Sequence, residues 1–141
     1  MSTLDAHGLP AGYPYRAADE TTPRELDALR RAELAAGHSE GDPKRQPPTV
    51  VLDVRTQSEW DICRIEGARL LPLQEIDQRI DELKAELNDD LGRRIVVNCH
   101  HGRRSLAATY ILRAAGFTNV TSLAGGIHLW AQDIDRGMPK Y

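Results

Sequence analysis

Cysteine is scarce in this chain, with only Cys63 and Cys99 among 141 residues. Two thiols cannot build the disulfide framework on which small secreted domains depend, and without a secretion signal they are read as reduced. No apolar run approaches the roughly 18 residues that span a bilayer. Residues 1 to 15 lack the charged-then-apolar pattern of an export signal, so the expected location is cytoplasmic, away from membranes. Neither sign of charge dominates: 18 Lys and Arg against 21 Asp and Glu leave a net charge of -3. A global basic field is therefore missing, which argues against nucleic acid as the main partner. Repeats and low-complexity tracts are also lacking. What is present, 40% hydrophobic and 28% charged residues, describes a soluble globular chain with room for one compact domain.

Residues 1–21 mix Gly, Pro and polar residues around Tyr13-Pro14-Tyr15 and read as an N-terminal arm that the tyrosines could pin down. The domain is expected over 22–141, with its core in 49–139. Thr22-Pro23 supplies a cap and a first-turn proline for a helix whose apolar face would be Leu26, Leu29 and Leu34. Residues 37–48 form a polar Gly/Pro-rich loop. The run Thr49–Val54 is β-branched and apolar on both sides, as a parallel strand between helix layers must be. A short helix over 57–62 and a strand over 68–71 follow. The stripe Leu73, Ile76, Ile80, Leu83 and Leu87 predicts an amphipathic helix. Ile95–Asn98 is the next strand, and it runs into Cys99-His100-His101-Gly102. A helix with an apolar face of Leu106, Ala107, Tyr110, Ile111 and Ala114 comes after it. Val120–Leu123 predicts a strand, Gly125-Gly126 a turn, and 127–134 a last helix carrying Trp130, which is expected to pack. Alternating strands and helices imply an α/β fold: a doubly wound sheet of mostly parallel strands with helices on both faces. Sites in such sheets gather beyond the carboxyl ends of the strands, where Asp53, Arg55 and Cys99 would lie.

A cysteine between a strand and a helix has its sulfur near successive backbone N–H groups and the positive end of the helix dipole, an arrangement suited to an anion. Arg103 and Arg104 add positive charge in the same turn. Positive charge is disfavoured at a helix N-terminus, so two arginines there suggest an anion to meet. Gly102 lets the backbone turn with positive φ, so that the loop folds around the sulfur. The same cradle would hold a persulfide anion and an anionic donor such as thiosulfate.

These residues reach a known family. Val51-Leu52-Asp53-Val54-Arg55 with Glu59-Trp60 and Ile65-Glu66-Gly67-Ala68 resembles the first rhodanese signature, and the Cys99 loop resembles the second. Leu123-Ala124-Gly125-Gly126-Ile127-His128-Leu129-Trp130, with Met138-Pro139 beyond it, resembles a third. The resemblance covers about residues 22–141. It implies a rhodanese-like sulfurtransferase in which Cys99 takes sulfane sulfur from thiosulfate or a persulfide and passes it to a thiol, cyanide or a protein acceptor. It also implies that His100, His101, Gly102, Arg103 and Arg104 bind the donor, with Asp53, Arg55 and Ser105 in support. The arm Gly12-Tyr13-Pro14-Tyr15 and the segment Pro139-Lys140-Tyr141 look similar to rhodanese domains associated with sulfur-carrier activation. Two departures stand out: Cys63-Arg64 replaces the usual Gly-His, and His100-His101 stands where many members begin with Arg.

Other readings stay open. A Cys-based phosphatase or arsenate reductase needs Cys, five intervening residues and Arg, whereas position six after Cys99 is Ser105. A non-catalytic binding module could use the same fold, although many such modules lose the cysteine. Cys63 could resolve a persulfide as a disulfide or be a small packed residue. His100 and His101 could join Cys63 and Cys99 around a metal, but adjacent histidines rarely point the same way, so no metal and no organic cofactor are expected. Asp53 and Arg55 read as a structural ion pair, and Arg104 as the better anion ligand of the two arginines.

Overall fold

The computed structural model describes residues 4–36 and 48–141. Most of the expected loop at 37–48 therefore lies outside the described residues. The chain runs β1 (Glu20–Thr21), α1 (Pro23–Ala35), β2 (Val50–Asp53), α2 (Gln57–Ile62), β3 (Arg69–Leu70), a 3-10 turn (Leu73–Glu75), α3 (Ile76–Glu86), β4 (Ile95–Asn98), α4 (Arg103–Ala114), β5 (Val120–Leu123) and α5 (Gly126–Asp133). The five strands lie in the order β1-β5-β4-β2-β3, and every pairing is parallel.

Side-chain alternation along the strands sorts the core into two layers. Leu52, Val54, Ile95, Val97 and Val120 face α3 and α4, packing on Ile76, Leu83, Ala108 and Leu112. Val51, Val96 and Leu123 face α1 and α5, packing on Leu26, Ile127 and Trp130. The sheet is thus covered on both sides, as its apolar strands require. Trp130 is buried in the second layer, as expected. No helix among the described residues is long and apolar enough to cross a membrane.

Three sequence expectations change. The arm carries a strand: Glu20 pairs with Ser122 and Thr21 with Leu123, so the sheet begins two residues before the expected boundary. A two-residue strand is too short for periodicity to register. Leu34 is 82% exposed, so α1 buries only Pro23 and Leu26. The buried face of α4 is Ser105, Ala108, Thr109 and Leu112, not the stripe through Leu106 and Tyr110. Its two hydroxyls are satisfied locally, with Thr109 Oγ1 donating to the Ser105 carbonyl at 2.8 Å and Ser105 Oγ 2.7 Å from Ser122 Oγ. Polar residues with such partners can be buried, and they disguise the inward face.

Candidate active site

Strands β2 and β4 are in register, Asp53 beside Asn98, so their carboxyl ends deliver Asp53, Arg55 and Cys99 to one edge of the sheet. Cys99 follows the last residue of β4, and α4 starts four residues later with Gly102 as its N-cap. Gly102 has φ 106°, the left-handed region open to glycine. That turn brings the Gly102 N–H back to Cys99, where it donates to Sγ at 3.0 Å. The thiol itself donates to Ser105 Oγ at 3.2 Å. Ser105 Oγ meets Ser122 Oγ at 2.7 Å, and Ser122 Oγ reaches the Gly102 carbonyl at 3.5 Å. Because hydroxyls rotate, this chain accepts a hydrogen bond from the thiol in one state and donates one to an anionic sulfur in the other. Cys99 is 1% exposed, so the cradle encloses the thiol almost completely.

Asp53 and Arg55 form a fully buried ion pair beneath this loop. Arg55 Nε lies 2.9 Å and Nη2 2.8 Å from the Asp53 carboxylate. The remaining guanidinium donors reach the Cys63 carbonyl at 2.6 Å, the Glu59 carbonyl at 3.2 Å and Tyr141 Oη at 2.9 Å. Burial opposes the charge on Arg55, but the bonds to Asp53 and Tyr141 outweigh it and hold the guanidinium protonated well above its usual range. Asn98 Nδ2 touches the same carboxylate at 3.4 Å, which ties the pair to the residue before Cys99. A buried pair of this kind fixes geometry more than it adds stability.

Arg104 does not extend over the sulfur. Its guanidinium is bidentate to Glu59, with Nη1 at 2.6 Å and Nη2 at 2.9 Å from the two carboxylate oxygens. Glu59 also accepts from Tyr141 Oη at 2.8 Å and from Thr56 N–H at 3.2 Å. The Arg104 contact, opposed by burial and aided by Tyr141, holds the Glu59 carboxyl well below the usual carboxylate range. Arg103 is exposed and has no carboxylate partner among the described residues. Of the two arginines, Arg104 is thus engaged by Glu59 and Arg103 is the more exposed. Tyr141 bridges Arg55 and Glu59, and burial together with Glu59 pushes its phenol up to about 12.

The two histidines of the loop do not diverge. Their ring centroids are 3.9 Å apart, and a third ring, His128 from α5, lies 4.9 Å from His101 and 5.9 Å from His100. The expectation that adjacent histidines point apart is overturned, since both rings lie against His128 of α5. His128 was not singled out in the sequence, although it stands two residues after the Gly125-Gly126 turn. Cys63 caps the end of α2, is half-buried and packs in the layer beside Val51; both cysteines are free. The arm closes the remaining side. Tyr13 Oη accepts from Gly125 N–H at 3.0 Å and donates to Glu20 at 2.7 Å, while Leu9 buries against Ala124 and Leu129. Desolvation and the Glu20 contact push the Tyr13 phenol well above its usual range.

The model of the rhodanese-like domain family matches residues 31–133, most of the chain. The chain belongs to that family. Among curated relatives of this rhodanese-like chain, the adenylyltransferase and sulfurtransferase MOCS3-2 of Zea mays is 34% identical over 95 residues, 67% of this chain and 20% of the relative. The probable adenylyltransferase/sulfurtransferase MoeZ of Mycobacterium tuberculosis is 38% identical over 91 residues, 64% of this chain and 22% of that protein. The chain thus spans about a fifth of the length of the curated relatives it matches. Among solved structures, the human single-domain sulfurtransferase TSTD1 superposes with TM-score 0.62 at 25% identity, covering 83% of this chain and 98% of that one. The rhodanese-like family and these neighbours therefore agree with the parallel α/β sheet described above.

Proposed function

We propose that this rhodanese-like domain is a sulfurtransferase that carries sulfane sulfur as a persulfide on Cys99 and hands it to a thiophilic acceptor. The observation that carries this reading is the cradle around Sγ, with the Gly102 N–H at 3.0 Å and the Ser105 hydroxyl at 3.2 Å. Both groups stabilise a sulfur anion at the end of β4. With thiosulfate as donor, the Cys99 thiolate attacks the outer sulfur. A new S–S bond forms, the S–S bond of thiosulfate breaks, and sulfite departs with its electron pair. The terminal persulfide sulfur is then attacked by cyanide or a thiolate, and Cys99 leaves as thiolate, so no external oxidant or reductant is consumed. The exposed Arg103 supplies charge to draw in the anionic donor, and the loop from His100 to Arg104 lines its approach. Arg104 acts through Glu59, holding the start of α4 against α2. Asp53 and Arg55 position the loop from below.

A persulfide or thiosulfate is the small donor in this reading. The acceptor is cyanide, a thiol or a sulfur-carrier protein, the last resting on the likeness of the Gly12–Tyr15 arm and the Pro139–Tyr141 segment to rhodanese domains associated with sulfur-carrier activation. A reducing cytoplasmic setting fits the two free cysteines.

The test is intact-protein mass after incubation with thiosulfate, followed by cyanide. A gain of one sulfur mass that requires Cys99, persists in Cys63→Ser and is discharged as thiocyanate is the expected result. No adduct on the wild-type chain with either thiosulfate or a persulfide donor would overturn the reading and favour a binding module. Turnover of a phosphate ester in its place would favour the phosphatase reading, which the engagement of Arg104 by Glu59 disfavours.

A further inference from the structure

His100, His101 and His128 bring one ring nitrogen each to within 4.8 Å of the other two, beside the Cys99 loop. The backbone builds this convergence. Ile127 N–H donates to the Cys99 carbonyl at 2.8 Å and His128 N–H to the His100 carbonyl at 3.0 Å. So close an approach requires glycine at 126, where a Cβ would stand 2.5 Å from both carbonyl oxygens. The first turn of α5 is therefore locked onto the loop, and residue 128 is carried against residue 100. The His100 plane is set from the other side by Tyr141, whose ring stacks at 3.9 Å with an interplanar angle of 8°.

His100 Nε2 and His128 Nδ1 are buried yet have no hydrogen-bond partner. A buried nitrogen without a partner is costly, so two in neighbouring rings call for an explanation. Three imidazoles without a carboxylate form a nitrogen donor set, which suits zinc-class ions and not the oxygen-seeking calcium or magnesium. A tetrahedral ion bound at about 2.1 Å would draw the donors to roughly 3.4 Å from one another, a contraction that small rotations of the three rings would supply.

We propose that His100 Nε2, His128 Nδ1 and one nitrogen of His101 form a binding site for a single divalent transition-metal ion of the zinc class, with a coordination position left for water or an external ligand. The site does not depend on Cys99 accepting sulfur. Calorimetric titration of the full chain with zinc, and visible spectra with cobalt as a probe, test it. One ion per chain is expected in the wild type and in the double variant Cys63→Ser/Cys99→Ser, with a cobalt spectrum free of thiolate charge-transfer bands. His101→Ala and His128→Gln should each weaken binding on the order of tenfold or more. His101 is exposed, so its replacement leaves the fold intact and keeps the test meaningful should His128→Gln unfold. No binding at millimolar zinc, binding that vanishes with the cysteines, or an affinity unchanged by both histidine variants would overturn the proposal.

Discussion

Helices α1 and α2 begin in one way, α4 and α5 in another. Thr22 and Thr56 cap the first two with complete capping boxes: Thr22 accepts from Glu25 N–H at 3.1 Å while Glu25 accepts from Thr22 N–H at 2.9 Å, and Thr56 and Glu59 repeat the exchange. Helices α4 and α5 start from Gly102 and Gly125, both with positive φ and neither with a side-chain cap. The N–H groups at these open starts serve the site. Gly102 gives its N–H to the Cys99 sulfur, and Ile127 and His128 give theirs to the loop carbonyls. Where a side chain caps the helix start, the first N–H groups are satisfied locally; where no side chain does, those donors become the wall of the site.

The largest test of that contrast is Gly126→Ala. The added methyl would stand 2.5 Å from two backbone oxygens at φ 60°, a conformation that also strains an L residue. Overpacking and backbone strain together should cost roughly 2–5 kcal/mol in urea unfolding and abolish sulfur loading of Cys99. A stability within about 1 kcal/mol of wild type would mean that α5 is not locked to the loop. Gly102→Ala comes next. Its Cβ would meet nothing closer than 3.4 Å, so only the positive φ is penalised, by roughly 1–2 kcal/mol. The protein should fold yet load sulfur poorly, because the N–H to Sγ bond depends on that turn. Thr22→Ala at a self-capped start should lower stability by about 1 kcal/mol and leave loading at the wild-type rate. Impaired loading there would erase the distinction between the two kinds of helix start.

The smallest effect concerns pH. Glu59 is held below the ordinary carboxylate range by Arg104, against burial and with help from Tyr141. A depressed folded-state value means that its contribution is fully present above the unfolded glutamate pKa of about 4.3 and is lost as pH falls below it. Comparing urea midpoints of wild type and Glu59→Gln from neutral to acid pH should show an advantage for wild type that shrinks on acidification. A constant gap would assign the effect to packing.

The central strands β2 and β4 were legible because burial between two helix layers leaves a nearly continuous hydrophobic signal, and the α3 stripe because one helix face packs on the sheet. Cys99 was legible from its place between strand and glycine turn. The α4 face was not, since Ser105 and Thr109 bury hydroxyls whose partners, Ser122 and a helix carbonyl, only the fold supplies. The contact that Arg104 makes was illegible for a related reason. Its carboxylate partner lies 45 residues away on α2, so local charge pattern pointed to a ligand and not to Glu59. His128 escaped notice because the interaction that places it is a backbone contact across two loops, permitted by the absence of a side chain at Gly126.

The bond between Thr21 and Thr121, 100 residues apart, joins the first strand of the chain to the last. Contacts of such separation carry the greatest loop-closure entropy, and they are expected to form after β2 and β4 have paired. Tyr13 and Gly125, which close one side of the cradle, depend on that late pairing. A refolding chain should therefore pass through a stage with its central strands formed and β1 still undocked, and pulsed hydrogen exchange would time the moment at which the Gly125 N–H acquires its Tyr13 partner.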